Sequence, residues 1–174
     1  MKFAKLNLTL YYNITFVNLS IPLNPCSDHH SCIDAALQTA EEIIKGKGLQ
    51  FTELRKTVLK LIWESHKPAK AYDLLEKIRK DDHRAQPPTI YRTLDFLLET
   101  GLVHRLHSLN SFVGCSHPKL HCDCYFLICN QCHEITECCS SEMKHALAET
   151  AHHKHFTPQN ITLEIEGVCQ KCSR

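Results

Sequence analysis

Apolar residues recur at helical spacing in four windows of this chain, with shorter strand-like runs after them. Ala35, Ala36, Ala40, Ile43 and Ile44 form the first stripe, which Gly46 and Gly48 end. After Thr52 come Arg55, Val58, Leu59, Leu61, Ile62 and Trp63, closed near Pro68, whose ring cannot continue a helix. Residues 71–78 give a third stripe, stopped by the charged residues 80–84. Pro87-Pro88-Thr89 opens the fourth, with Ile90, Leu94, Leu97 and Leu98 on its apolar face and Gly101 at its end. Two short strands follow, 102–107 and 111–114, joined by a turn containing Leu109-Asn110. Three helices followed by a hairpin predict a winged helix-turn-helix. Further on, Tyr125-Phe126-Leu127-Ile128 reads as a strand, 140–151 as a helix, and Ile161, Leu163 and Ile165 as a second strand. The expected class is α+β, an N-terminal winged helix-turn-helix domain followed by a small α/β domain.

Both of those later strands run into cysteine doublets, Cys129-Asn130-Gln131-Cys132 and Cys169-Gln170-Lys171-Cys172. A C-x-x-C turn aims two sulfurs at one point, and two such turns supply the four thiolates of a closed tetrahedral zinc site. Two redox-active dithiols are the alternative, disfavoured because neither doublet opens a helix in a βαβ pattern. The chain has 174 residues with 43% apolar content, enough for one proper core or two small ones, one stapled by metal. Its eleven cysteines are odd in number, and most crowd into 115–172 among many of the thirteen histidines. That pattern points to metal in a reducing cytosol rather than to disulfides, and hence to a cytoplasmic protein. The net charge of +1 averages a basic front half with a carboxylate-bearing back half and says little by itself.

Residues 1–27 differ from the rest. Asn7, Thr9, Asn13, Thr15, Asn18 and Ser20 interrupt their apolar run, which leaves neither a membrane span nor a good signal core. They are expected to be a disordered arm or a stretch upstream of the working start, with no membrane partner. The cluster His29, His30 and Cys32 reads as an incidental start to the first helix, with weak metal binding as the alternative.

In a winged helix the third helix of the unit enters the major groove by its first turn. Thr89, Tyr91 and Arg92 would then face DNA, with Lys67, Lys70, Lys77, Arg79, Lys80 and Arg84 as candidate phosphate contacts. A protein-docking module is the alternative. Here the residues match a family. Ala71-Tyr72-Asp73-Leu74-Leu75, the run from Pro87-Pro88-Thr89-Ile90-Tyr91-Arg92 to Glu99, Gly101-Leu102-Val103-His104 and Asn110-Ser111-Phe112-Val113 resemble the ferric uptake regulator family, and most closely its zinc-responsive branch. The resemblance runs from about residue 30 to the C-terminus. It implies a homodimeric, metal-dependent repressor of zinc-uptake genes that binds double-stranded operator DNA. It also implies a DNA-binding domain over 28–115, a hinge over 116–124 and a dimerisation domain with structural zinc over 125–174.

The resemblance further implies a regulatory zinc that straddles the hinge, so that each subunit holds one structural and one regulatory ion. His104, Cys115 and Glu137 match its ligands in type and spacing. The hinge departs from the usual pattern, so His121 is taken as the fourth ligand and Cys122 as the alternate. Imidazole, thiolate and carboxylate together suit zinc, whereas an iron or peroxide sensor would use a mostly His/Asp site. Cys138 and Cys139, expected at a helix start, read as buried small apolar groups, and Cys124 either packs or joins a further metal site. No enzyme is expected and no small organic substrate. A deaminase would need His-x-Glu upstream and proline where Ile128 stands. A zinc-ribbon adaptor that binds only protein is the remaining rival.

Overall fold

The computed structural model describes residues 20–22, 29–64, 67–119, 124–159 and 161–173. Its elements in chain order are β1 (Ser20–Pro22), α1 (His29–Gly46), α2 (Glu53–Trp63), α3 (Ala71–Arg79), α4 (Pro87–Glu99), β2 (Val103–Leu106), β3 (Ser111–Gly114), β4 (Cys124–Cys129), β5 (Ile135–Cys139), α5 (Ser141–His152) and β6 (Glu164–Gly167). The four helical stripes read from the sequence are α1 to α4.

Each stripe is buried. Ala40 and Ile44 of α1, Val58, Leu59 and Ile62 of α2, Leu74, Leu75 and Ile78 of α3, and Ile90, Leu94 and Leu97 of α4 meet in one core. A fully buried side chain of this size stabilises by about 1.5–3 kcal/mol, so this core dominates the stability of the N-terminal half. Two prolines begin α4, where a missing backbone donor costs nothing. The helix ends where the Thr100 hydroxyl donates to the Phe96 carbonyl at 2.8 Å and Gly101 turns the chain at φ 77°. The Arg55 guanidinium lies 3.3 Å from the centroid of the Phe96 ring and ties α2 to α4.

The hairpin β2–β3 is antiparallel, with Val103 opposite Gly114 and Leu106 opposite Ser111. Ala69 and Phe112 exchange backbone hydrogen bonds of 2.8 and 2.9 Å, anchoring the hairpin beside the start of α3. All four positions of β3 are buried. Phe112 enters the helical core, while Val113 and Leu106 pack the other way, against Phe126 and Ile128 of β4 and Ile135 of β5. Gly114 admits no side chain, since a methyl there would meet the Trp63 indole, with Cζ2 at 2.8 Å.

Among the described residues the second sheet has four strands in the order β1-β5-β4-β6. β4 runs antiparallel to β5 and parallel to β6. Alternation sorts the side chains: Cys124, Phe126 and Ile128 of β4 share the wing-side face with their partners Cys139, Glu137 and Ile135 of β5. The Ser140 hydroxyl caps α5 by accepting from the Met143 N–H at 3.2 Å.

Two local expectations change. Ser20–Pro22 is a strand on β5, so these residues do not lie outside the fold; pairing partners more than a hundred residues away leave no local signal. Cys138 and Cys139 close β5 rather than open a helix. Cys124, paired with Cys139, is the first residue of β4. No helix among the described residues is long and apolar enough to cross a membrane.

Candidate metal centres and DNA-facing surface

The two cysteine doublets meet because β4 and β6 are parallel neighbours, with Cys129 level with Gly167. Cys129, Cys132, Cys169 and Cys172 place their sulfurs within 4.8 Å of one another. Cys132 Sγ and Cys169 Sγ are 3.7 Å apart, against about 3.8 Å for two sulfurs on a tetrahedral ion with metal–sulfur bonds of about 2.3 Å. The donor set therefore fits zinc. Backbone N–H groups of Cys132, Cys169 and Gln131 point at Cys129 and bring its thiol down to about 6, favouring the ligating thiolate. Cys172 goes the other way, up to about 12, because Cys169 and Cys132 crowd it with sulfur.

A second group lies where the wing meets the sheet. His104 on β2, Cys124 on β4 and Glu137 on β5 bring ligand atoms within 4.8 Å of one another. His104 Nε2 is 3.1 Å from Glu137 Oε1, and the His104 ring also stands edge-on to Phe126 at 5.2 Å. Glu137 is 3% exposed. Burial by itself would push its carboxyl up, but His104 and the Ser116 N–H, which donates at 3.0 Å, bring it down to about 2. Cys115, just past β3, donates to Glu137 Oε1 at 3.8 Å. It falls outside the mutual 4.8 Å set, which Cys124 enters. The structure thus brings His104, Glu137 and Cys115 together and adds Cys124 as a candidate ligand. The sequence left Cys124 open between packing and ligation; its alternation with Phe126 and Ile128 on β4 puts it on the wing-side face. His121 and Cys122 lie outside the described residues. Cys32 borders a cavity next to Cys115 and belongs to neither ligand group.

The wing is held at its tip as well. Glu164, the first residue of β6, accepts hydrogen bonds from the backbone N–H of His107 at 2.6 Å and of Ser108 at 3.0 Å, and from the Ser108 hydroxyl. Burial would raise its carboxyl, but the Ser108 hydroxyl and these two N–H groups hold it below the usual carboxylate range. A depressed folded-state value means the contact is fully present above the unfolded carboxylate range and is lost as pH falls through the lowered value. Glu164→Gln is expected to weaken wing docking by about 1 kcal/mol, below the usual range for charge-assisted bonds because the site is partly exposed. Faster amide exchange at His107 and Ser108 checks this; unchanged protection would contradict it.

Of the residues expected from the sequence to contact DNA, Thr89, Tyr91 and Arg92 are exposed on the first turns of α4, and Lys70 is exposed at the N-cap of α3. Lys67, Lys80 and Arg84 are exposed too. Lys77 is drawn to Glu64 at 3.4 Å, and Arg79 donates to the Ala85 carbonyl at 3.0 Å, so both are partly committed within the fold. Tyr72, 64% exposed and two residues from Lys70, was read from the sequence only as part of the family motif, with no role of its own. A large aromatic off the apolar stripe of α3 was the available signal.

The model of the ferric uptake regulator family matches residues 46–166. The chain belongs to the ferric uptake regulator family. Within this family, the zinc uptake regulation protein of Escherichia coli (strain K12) is 35% identical over 138 residues, covering 78% of this chain and 80% of that protein. Holo XcZur, solved as a crystal structure, superposes with a TM-score of 0.74 at 40% identity, covering 80% of this chain and 98% of its own. A zinc uptake regulator complexed with zinc and DNA superposes with a TM-score of 0.75 at 32% identity, covering 81% and 95%. The fold of this family member is therefore the expected α+β arrangement of a winged helix followed by a small sheet domain.

Proposed function

We infer that this protein is a zinc-responsive transcriptional repressor that binds operator DNA as a zinc-loaded dimer and controls zinc-uptake genes. The observation that carries the reading is the convergence of His104 from the wing with Cys124 and Glu137 from the sheet. It occurs in a chain similar to regulators named for zinc uptake. Imidazole, thiolate and carboxylate together suit zinc, and the thiols argue against the second reading, an iron- or peroxide-responsive regulator. Exposed Thr89, Tyr91 and Arg92 on α4 favour DNA over a purely protein-binding role.

In this reading residues 28–115 bind DNA, 116–124 are the hinge and 125–174 form the dimerisation domain. Cys129, Cys132, Cys169 and Cys172 hold one structural zinc per subunit. His104, Cys115, Cys124 and Glu137 hold one regulatory zinc, with His121 and Cys122 as further candidates. His104 and Glu137 belong to different halves, so binding that needs both fixes the wing against the sheet and sets the placement of α4. Zinc would supply a positive charge and directional bonds to donors that already meet through the His104–Glu137 and Cys115–Glu137 contacts. Thr89, Tyr91 and Arg92 read the groove, while Lys67 and Lys70 hold phosphates. A dimer is supported by Leu127 and Ile165, register partners on the sheet face away from the wing, 40% and 42% exposed, with Val168 beside them.

The test is binding of the purified protein to a zinc-transport promoter across buffered free zinc, with metal per chain counted. Zinc is expected to raise affinity by roughly 5–150-fold, as for couplings of about 1–3 kcal/mol. Cys115→Ser should keep the structural zinc and the dimer while losing most of that gain. Because thiols and imidazole must lose protons to ligate, the zinc midpoint is expected to rise as pH drops below neutral. DNA binding indifferent to zinc, or a midpoint indifferent to pH, would sink the reading.

A further inference from the structure

Cys139 has no part in either ligand group, yet its sulfur lies 2.8 Å from that of Cys124. Two sulfurs not bonded to each other ordinarily rest further apart than this. The two residues are direct register partners at the end of the antiparallel pair β4–β5. Opposed residues in such a pair have Cα atoms about 4.5–5.5 Å apart, inside the range of about 4.4–6.8 Å that a disulfide spans. A bond between these sulfurs therefore needs no movement of the backbone. Both side chains are only partly buried, so small solutes reach them.

We propose that Cys124 and Cys139 are a thiol–disulfide site, closed by hydrogen peroxide, and that closure competes with zinc for Cys124. The proposal rests on the reading of His104, Cys124 and Glu137 as a metal site. The chemistry balances. Cys139 lies outside both ligand groups and is partly exposed, so it is taken as the sulfur that meets the oxidant. Its sulfur attacks one peroxide oxygen, the O–O bond breaks, and the departing oxygen takes a proton to leave as water. Cys124 then attacks the sulfenic sulfur of Cys139, and the S–O bond breaks to release a second water. Two thiols have lost two electrons and two protons, and one peroxide has become two waters. A dithiol reductant reverses the bond.

Closure takes Cys124 out of the ligand set while leaving His104 and Glu137 in place. The same strand pair would then report two conditions. Scarce zinc empties the site, and oxidant removes one of its donors even when zinc is plentiful. Conversely, a thiolate committed to metal is withheld from the second step of the oxidation.

The experiment exposes the full-length protein, zinc-loaded or stripped by chelator, to graded hydrogen peroxide, then caps the remaining thiols by alkylation. A Glu-specific protease cuts after Glu134 and Glu137, which separates the Cys124 peptide from the one that begins Cys138-Cys139. Mass spectrometry is expected to find Cys124 linked to Cys139 in the stripped protein and at least about ten-fold less of the link with zinc bound, as ligand linkage requires. Absence of the link, its formation through another cysteine, or equal yield with zinc would overturn the proposal. Cys139→Ser leaves every assigned ligand intact and is expected to keep zinc-dependent DNA binding after a peroxide dose that abolishes it in the wild type. Equal loss in this variant would also overturn it. Cys124→Ser with wild-type zinc content would overturn the ligand reading on which the competition rests, and the peptide map separates that failure from failure of the bond to form.

Discussion

Replacing Cys169 by alanine is expected to cost one zinc per chain and to unfold the C-terminal sheet. β6 is an edge strand of four residues, held to β4 by a single parallel ladder, and three of those residues are exposed. Little apolar burial keeps it there. The Cys169 N–H donates to Cys129 Sγ at 3.4 Å, so the second doublet also organises the first. Structural zinc sites carry about 10–16 kcal/mol of apparent binding free energy near neutral pH, and losing one ligand forfeits a large part of it. Metal analysis and urea unfolding followed by far-UV circular dichroism check this. A variant with wild-type zinc content and an unchanged midpoint would mean that packing alone holds β6.

Glu137→Ala is expected to abolish the zinc response and to weaken the fold as well. The carboxylate is buried and is contacted by His104, Cys115 and Ser116. Its removal strands those groups, and each unsatisfied polar partner costs about 1–3 kcal/mol. The zinc-free wild type has a matching acid limit. A carboxyl held at about 2 in the fold and near 4.5 when unfolded stabilises the protein only above the unfolded value, and the contribution is lost as pH falls from 4.5 towards 2. That shift is worth about 3 kcal/mol. Acid titration of zinc-free wild type and Glu137→Ala should therefore show stability curves that differ near neutral pH and converge in acid. Parallel curves would remove Glu137 from the balance of charges.

How far the molecule was legible from its residues follows from which interactions are local. The stripes of α1 to α4 and the end of α4 at Gly101 are periodic or positional signals and were read directly. The doublets Cys129/Cys132 and Cys169/Cys172 announce themselves by spacing, and parallel pairing of β4 with β6 supplies the rest. Cys124 was ambiguous, because a cysteine at a strand end looks the same whether it packs or ligates. Only the register that sets it beside Glu137 decides where its sulfur goes. Glu164 gave no signal at all, since its partners are backbone groups more than fifty residues away. Lys77 and Arg79 looked like free phosphate contacts until the turn after α2 and the loop before α4 placed acceptors beside them.

The burial of all four β3 positions also bears on cooperativity. A wing that projected freely would let the helical half and the sheet half melt separately, each with its own heat-absorption peak. Here one strand belongs to two cores at once, through Phe112 on one side and Val113 on the other. Neither half can open without exposing part of the other's interior. The zinc-loaded chain should therefore melt as a single calorimetric unit, and the wing should lose its order no earlier than the helices that carry it.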